Sequence, residues 1–266
     1  MRYAQIVIGP AGCGKSTYCS TILAHTEAMN RPVKVINLDP AAEYFDYAAT
    51  ADIKDLISLE DAMSDEELRF GPNGGLIFCM EYLVENNEWL EESVGTDEDD
   101  DYILFDCPGQ IELYTHMTVM KKFVDILTNW NFNVCCVYLL DSQFMIDSSK
   151  YISGVMTALS AMTNIETPHV NILSKIDLLS KRSRKKLKEY LEPGMDIVPF
   201  EEDSAQWNNK HLKLSQTIAK LIDDYSLVRF IPLNSKDEDS ISDVLLYIDT
   251  ALQFGEDADV KMRVSD

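Results

Sequence analysis

A chain of 266 residues, 46% of them apolar, is long enough to bury a real core and has an ordinary globular composition. A formal charge of −22 excludes general affinity for nucleic acid, which needs surplus lysine and arginine, and leaves proteins or a metal-chelated nucleotide as partners. No apolar run reaches the roughly 20 residues of a membrane span, the start MRYAQIVIGP lacks signal-peptide form, and six cysteines without a C-x-x-C pair suit reduced thiols of cytosol or nucleus.

Short apolar runs rich in β-branched residues predict strands over 3–8, 33–38, 102–105, 133–140, 169–173 and 228–233. Most are apolar throughout rather than alternating, the pattern of parallel strands covered on both faces. Helices are expected over 15–29, 76–92, 111–130, 144–163, 208–225 and 240–253. Strand alternating with helix predicts a doubly wound α/β fold, a mostly parallel sheet with helices on both faces. One domain would span 1–255, with 256–266 as a frayed tail. Between the second and third strands, FGPNGG (70–75) reads as a helix-linking turn, since glycine accepts positive φ and asparagine tolerates the left-handed region. The acidic DEDDD (97–101) reads as a surface loop.

The first predicted strand runs into GPAGCGKS, Gly9 to Ser16, which fits G-x-x-x-x-G-K-[ST] with a strand before it and a helix after it. Backbone N–H groups of Gly12, Cys13, Gly14 and Thr17 are placed to cradle phosphate oxygens. Lys15 adds a point charge, Ser16 a hydroxyl for Mg²⁺, and the helix its dipole. This is a phosphate-binding loop. The stretch LFDCPGQIE (104–112) places Asp106 at the end of a buried strand, where a carboxylate can hold a magnesium shell. Gly109 can offer its N–H to a γ-phosphate, and Gln110 or Glu112 can orient or deprotonate a water. In NLDPAAEYFDY, Asp39 is expected beside the phosphate loop, where adjacent strands converge, to contact either the Mg²⁺ shell or the nucleophilic water. The competing role for Asp39 is an N-cap before Pro40.

LSKIDLL (173–179) stands where a base should lie, at the carboxyl end of a strand. Asp177 is spaced to accept from guanine N1 and N2, and Lys175 can lay its stem over the base. Ser174 occupies the position that is asparagine in most GTPases, so guanine selectivity would rest more heavily on Asp177. Asn234 or Ser235 of IPLNSKDE would close over the base. The basic KRSRKKLK (181–188) reads as a solvated helix face, Cys135 and Cys136 as core, and Leu76, Met80, Leu83 and Trp89 as a buried helix stripe. Four histidines at 25, 116, 169 and 211 lack ligand spacing, so no zinc site is expected.

Taken together, GPAGCGKST, NLDPAAEYF, RFGPNGGL, DCPGQIELYTH and SKIDLL resemble the GPN-loop GTPases from Tyr3 to about Gly255, with the look of the third eukaryotic branch. That family belongs to the dimerising class of P-loop NTPases that includes signal-recognition GTPases and MinD-like ATPases. The resemblance implies a Mg²⁺-dependent switch binding GTP and GDP, in which Gly71, Pro72 and Asn73 reach across a dimer and Asn73 approaches the partner's nucleotide. It also implies part of the stripe near Leu76 at a dimer interface, and a partner that is a second copy or a paralogue. RNA polymerase II subunits as clients, assembly and nuclear import as the task, and a cytoplasmic location with shuttling to the nucleus follow from the same resemblance. Two alternatives stand beside it. One is a heterodimer subunit that binds nucleotide but hydrolyses little. The other is a MinD-like ATPase, disfavoured because Pro10 stands where those proteins carry an additional lysine.

Overall fold

The computed structural model describes residues 1–64, 70–95, 101–146, 148–191, 217–218, 220 and 228–255. Nearly all of the helix expected at 208–225, the tail at 256–266 and residues 97–100 of the acidic run lie outside them. Seven strands form one parallel sheet: β1 (Arg2–Ile8), β2 (Lys34–Asn37), β3 (Ala51–Asp52), β4 (Tyr102–Asp106), β5 (Phe132–Asp141), β6 (His169–Ser174) and β7 (Phe230–Pro232). Their order is β3-β2-β4-β1-β5-β6-β7. The six expected strands are present within a residue or two. The seventh, β3, is two residues long and, among the described residues, pairs only with β2.

Nine helices surround the sheet among the described residues: α1 (Lys15–Ala28), α2 (Leu59–Ser64), α3 (Pro72–Glu85), α4 (Glu88–Val94), α5 (Ile111–Thr115), α6 (Val119–Asn129), α7 (Ser148–Ile165), α8 (Lys181–Leu191) and α9 (Glu238–Leu252). Successive strand residues serve opposite faces. Ala4, Ile6, Ile8, Ile103 and Phe105 pack with Met80, Leu83, Leu90, Phe123 and Val155 of α3, α4, α6 and α7. Tyr3, Val7 and Leu104 pack on the other side with Tyr18, Cys19 and Ile22 of α1 and Val244, Leu245 and Ile248 of α9. Cover on both faces is why these strands read as continuous apolar runs.

The α1–α9 face also carries a polar seam. Gln5, fully buried, accepts from the Tyr18 hydroxyl at 2.7 Å and donates to the Tyr102 oxygen at 2.6 Å. Tyr102 donates to Asp249, whose two oxygens take a fork from Arg31 at 2.6 and 2.8 Å. The Arg31 guanidinium lies over the rings of Tyr102 and Phe254 at 4.2 and 3.8 Å. The two tyrosine hydroxyls and the terminal nitrogens of Arg31 all find acceptors, and the Arg31 Nε alone in this seam is buried without one.

Several sequence expectations change in the structure. The helix expected at 76–92 begins earlier, at Pro72, and is broken at Asn86–Asn87. The one expected at 111–130 is broken around His116–Thr118 into α5 and α6. Gly71, Pro72 and Asn73 are therefore the start of α3 rather than a turn ahead of it. Gly71 is the N-cap with φ −77°, Pro72 sits in the first turn, where a missing N–H costs nothing, and the Gly75 N–H closes the first helical bond on Gly71 at 2.9 Å. None of Gly71, Gly74 and Gly75 has positive φ. Two of them serve close packing instead. A Cβ on Gly75 would meet Leu59 of α2 at 2.8 Å, and one on Gly74 would meet the Phe70 ring at 3.1 Å. Asp101, read as part of a surface loop, is 6% exposed and bonds Arg2 at 3.2 Å and Lys34 at 2.8 Å. Cys135, Cys136, Met80 and Leu83 are buried as expected, whereas Leu76 and Trp89 are half-buried. The described charged positions of α8, Lys181, Arg182, Arg184 and Lys185, are exposed. No described helix is long and apolar enough to cross a membrane.

Candidate active site

β1 lies where the order of the sheet turns, with β4 on one side and β5 on the other, and in such sheets ligands bind outside the carboxyl ends of the strands. The chain leaves β1 through Gly9, Gly12 and Gly14, with φ of 141°, 74° and 94°. These are conformations that side chains resist, so the motif's glycines are required by the backbone itself. Gly9 is the strictest, because a Cβ there would sit 2.3 Å from the Leu139 carbonyl. Lys15 opens α1 and is 7% exposed, its ammonium 3.3 Å from both the Gly9 and Pro10 carbonyl oxygens. Cys13 contributes only backbone to the loop. Its side chain is core, and burial pushes its thiol up to about 11.

Asp106 ends β4, next to β1, and is 2% exposed. Its Oδ2 accepts from the Tyr47 hydroxyl at 2.8 Å, while Oδ1 is buried with no hydrogen-bond partner. Burial raises its pKa, opposed by the Ser16 and Tyr47 hydroxyls and by Lys15. Asp39 follows β2, which β4 separates from β1. Asp39 is nonetheless near enough to feel the Lys15 charge. Burial raises its pKa too, opposed by the Ala41 N–H and the Lys15 charge. Its Oδ1 accepts from Ala41 at 3.0 Å, so the carboxylate caps a turn at 39–42 and no helix starts there. Two desolvated carboxylates thus face one buried ammonium. Among the described residues no three His, Cys, Asp or Glu side chains form a metal cage. A hard cation here would take Ser16 and Asp106 oxygens, with phosphate and water filling the rest of its shell, which is the usual manner of Mg²⁺.

Gly109 touches the phosphate loop directly: a Cβ on it would lie 2.7 Å from the Ala11 Cα. Gln110 follows as the N-cap of α5 and is half-buried, whereas Glu112, two residues on in the first turn, is exposed. Gln110 directly follows the glycine that touches the loop, whereas Glu112 is directed to solvent.

A cleft of about 200 Å³ opens beside the loop, lined by Gly14, Thr17, Tyr18, Lys175, Asp177 and Ser235 among others. Lys175 has φ 59°, bonds Asp141 at 3.0 Å and the Gly12 carbonyl, and lays its stem 3.7 Å from where a Gly14 Cβ would be. Asp177 is held by Lys236 at 2.9 Å. Ser174 also lines the cleft, but its hydroxyl donates to the Cys13 carbonyl at 2.6 Å, tying β6 to the phosphate loop. Of the two closing candidates, Ser235 lines the cleft. Asn234 spends its side-chain oxygen on the Lys236 N–H. Asp141, Tyr47 and Lys236 were not singled out by sequence. Asp141 carries a signal in retrospect, a carboxylate ending an apolar strand, as Asp106 does.

Asn73 stands apart from this cluster at the exposed start of α3.

A family model described as "Conserved hypothetical ATP binding protein" matches residues 7–254. The protein named GPN-loop GTPase 3 of Danio rerio is 58% identical over 260 residues, 98% of this chain and 91% of that protein. That of Saccharomyces cerevisiae is 49% identical over 263 residues, 98% of this chain and 96% of that protein. Among solved structures, PAB0955, a GTPase in apo form from Pyrococcus abyssi, superposes with a TM-score of 0.75 at 22% identity, covering 92% of this chain and 95% of that one. At that identity the likeness speaks for the fold. Identity of 49–58% to these relatives, along nearly all of both chains, shows that this chain belongs to the GPN-loop GTPase family.

Proposed function

We propose that the chain binds and hydrolyses GTP with Mg²⁺ and acts as one half of a dimer whose state follows the nucleotide. The observation that carries this reading is the joining of two half-sites. A phosphate loop with buried Lys15 opens directly into a cleft walled by Lys175 and Asp177. The Asp177 carboxylate accepts from N1–H and N2–H of guanine. Adenine presents an acceptor at that edge and would leave the carboxylate unpaired, which discriminates strongly. Ser174 adds no contact of its own to the base and instead fixes the loop against β6.

Phosphoryl transfer asks mainly for position and neutralised charge. Lys15 and the N–H groups of Gly12, Cys13, Gly14, Ser16 and Thr17 hold the phosphate oxygens, and Gly109, packed on Ala11, offers a further N–H at the γ end. When bound, Mg²⁺ neutralises charge developing on the phosphates, and Ser16 with Asp106 would hold it. Asp39 and Gln110 orient the attacking water, with Glu112 the more distant candidate. The resemblance to the family supports the rest. Asn73, whose direction Pro72 fixes, reaches the nucleotide of a second copy or a paralogue, and the pair works in RNA polymerase II assembly and nuclear import.

Calorimetry with GTP, GDP and ATP, with and without Mg²⁺, together with the mass of each complex, tests the reading. Guanine preference with a dimer favoured by a GTP analogue is the expected result, and equal or tighter ATP binding overturns it. For the cross-dimer role, Asn73→Ala should slow hydrolysis with an unchanged melting temperature. A lower melting temperature with full turnover would leave Asn73 only a helix-start residue.

A further inference from the structure

Between β2 and β3 the chain runs through AAEYFDYAAT (41–50), a strap with no regular secondary structure over most of its length. It is pinned at intervals. Lys54 donates to the Ala42 carbonyl, Ser20 of α1 donates to the Asp46 carbonyl at 2.9 Å, and the Thr50 N–H donates to Val35 at 2.7 Å. The Phe45 and Tyr47 rings stack at 4.7 Å with 19° between their planes. Tyr47, 9% exposed, is the residue of the strap that enters the site, and its hydroxyl donates to Asp106 Oδ2 at 2.8 Å.

We infer that Tyr47 is a positioning residue for the metal site: by occupying Oδ2 it fixes the plane of the Asp106 carboxylate and leaves Oδ1 as the oxygen presented to the cation. This rests on the Mg²⁺-dependent reading above. The terminal torsion of an aspartate is soft and roughly two-fold, so a carboxylate with no donor on it has no single orientation. One well-aligned O–H donor removes that freedom. Asp106 Oδ1, buried and without a partner, is the unused valence that results. An oxygen in that condition costs stability unless a ligand uses it. The phenol reaches Asp106 Oδ2 from the strap rather than from the phosphate loop. The strap begins just after Asp39, so the Tyr47 bond links the segment that carries the Asp39 turn to the Asp106 carboxylate on β4. Groups that orient a metal ligand in this way change metal affinity by about 10- to 100-fold when removed.

Tyr47→Phe keeps the ring and its stack on Phe45 and removes only the donor. The measurement is the affinity of GDP in excess EDTA and in millimolar MgCl₂, by calorimetry, for the natural chain and the variant. The quantity read is the factor by which Mg²⁺ tightens GDP. For Tyr47→Phe that factor should fall about 10-fold or more, with the EDTA affinity unchanged. A factor equal to that of the natural chain overturns the inference, even if the melting temperature drops. If the natural chain itself shows no Mg²⁺-dependent tightening, the Mg²⁺ reading of the site falls and takes the inference with it. Should Tyr47→Phe not fold, Phe45→Leu loosens the stack while keeping the hydroxyl. It should cut the same factor about threefold, on the lower side of the effect of losing an orienting group. An unchanged factor there also overturns the inference.

Discussion

At the amino end of β4, Asp101 is 6% exposed and bonds both Arg2 and Lys34; at the carboxyl end of the same strand, Asp106 is 2% exposed and keeps one oxygen with no partner. The two carboxylates are equally deep and differ in what surrounds them. Arg2, itself lying over the Phe132 ring at 4.2 Å, also donates to the Val94 and Gly95 carbonyls and so closes a network at the amino edge of the sheet. At the carboxyl edge, Lys15 rests on two carbonyls at 3.3 Å and faces two desolvated carboxylates. A buried carboxylate with both oxygens paired marks structure, and one with a spare oxygen marks a site.

The sharpest way to break that contrast is to remove the ammonium. Lys15→Ala should lower single-turnover GTP hydrolysis by on the order of 10²–10³-fold, the size of losing one preorganised charge at a transition state, and leave the melting temperature within a few degrees. Residual hydrolysis above a tenth of the natural rate would mean that Lys15 is only a loop brace. Asp101→Ala tests the other edge. It takes the shared carboxylate from two cations, and breaking such a buried pair costs about 3 kcal/mol. Urea unfolding should show that loss while GDP affinity per folded molecule stays the same. A stability change under 1 kcal/mol would place Asp101 among ordinary surface charges.

How much of this was legible follows the same division. The phosphate loop, Asp106 and Asp177 announce themselves because their chemistry needs fixed residue types at fixed spacing on strand ends. The alternation of apolar runs carried the sheet as well. What escaped was decided by contacts distant in sequence. Nothing local tells that Asp101, in an acidic run, meets Arg2 and Lys34, or that Tyr47, one aromatic of a polar strap, reaches Asp106. Ala51–Asp52 is too short a strand to show a period. The glycines of GPNGG misled for a different reason: glycine serves both positive φ and close approach, and only α2 lying against α3 distinguishes them. Ser174 fills a base-reading position but is spent on the Cys13 carbonyl, a use visible only once β6 and the loop are side by side.

Asp177 gives a smaller effect than either charge above, because Lys236 pairs with it from an exposed position and can release an oxygen to the base. Asp177→Ala should weaken GDP about 10- to 100-fold, the worth of a hydrogen bond to a charged group, and leave ATP affinity unchanged. Equal losses for both nucleotides would move Asp177 from base reading to general support of the cleft.

The amino edge also holds polar atoms without partners: the Arg2 Nε and, at the start of β6, both ring nitrogens of His169, all buried with no hydrogen-bond partner. His169 sits beside the Tyr138 ring at 6.3 Å, and burial lowers its pKa from 6.5 to about 4. A neutral imidazole carries no charge to saturate, so the edge tolerates it at neutral pH. The cost appears on acidification. Between pH 6.5 and about 4 the unfolded chain takes up a proton that the folded chain refuses. Stability should therefore fall as pH drops, by at most about 1.4 kcal/mol per pH unit from this group. His169→Phe removes that proton and keeps a ring against Tyr138. Urea unfolding at pH 7 should differ little between the two proteins. At pH 5 the variant should have lost about 2 kcal/mol less than the natural chain, from the same slope. If both lose equally, His169 is solvated enough to titrate in the fold. The amino edge would then hold no unpartnered polar ring at all, which would draw the contrast with Asp106 tighter.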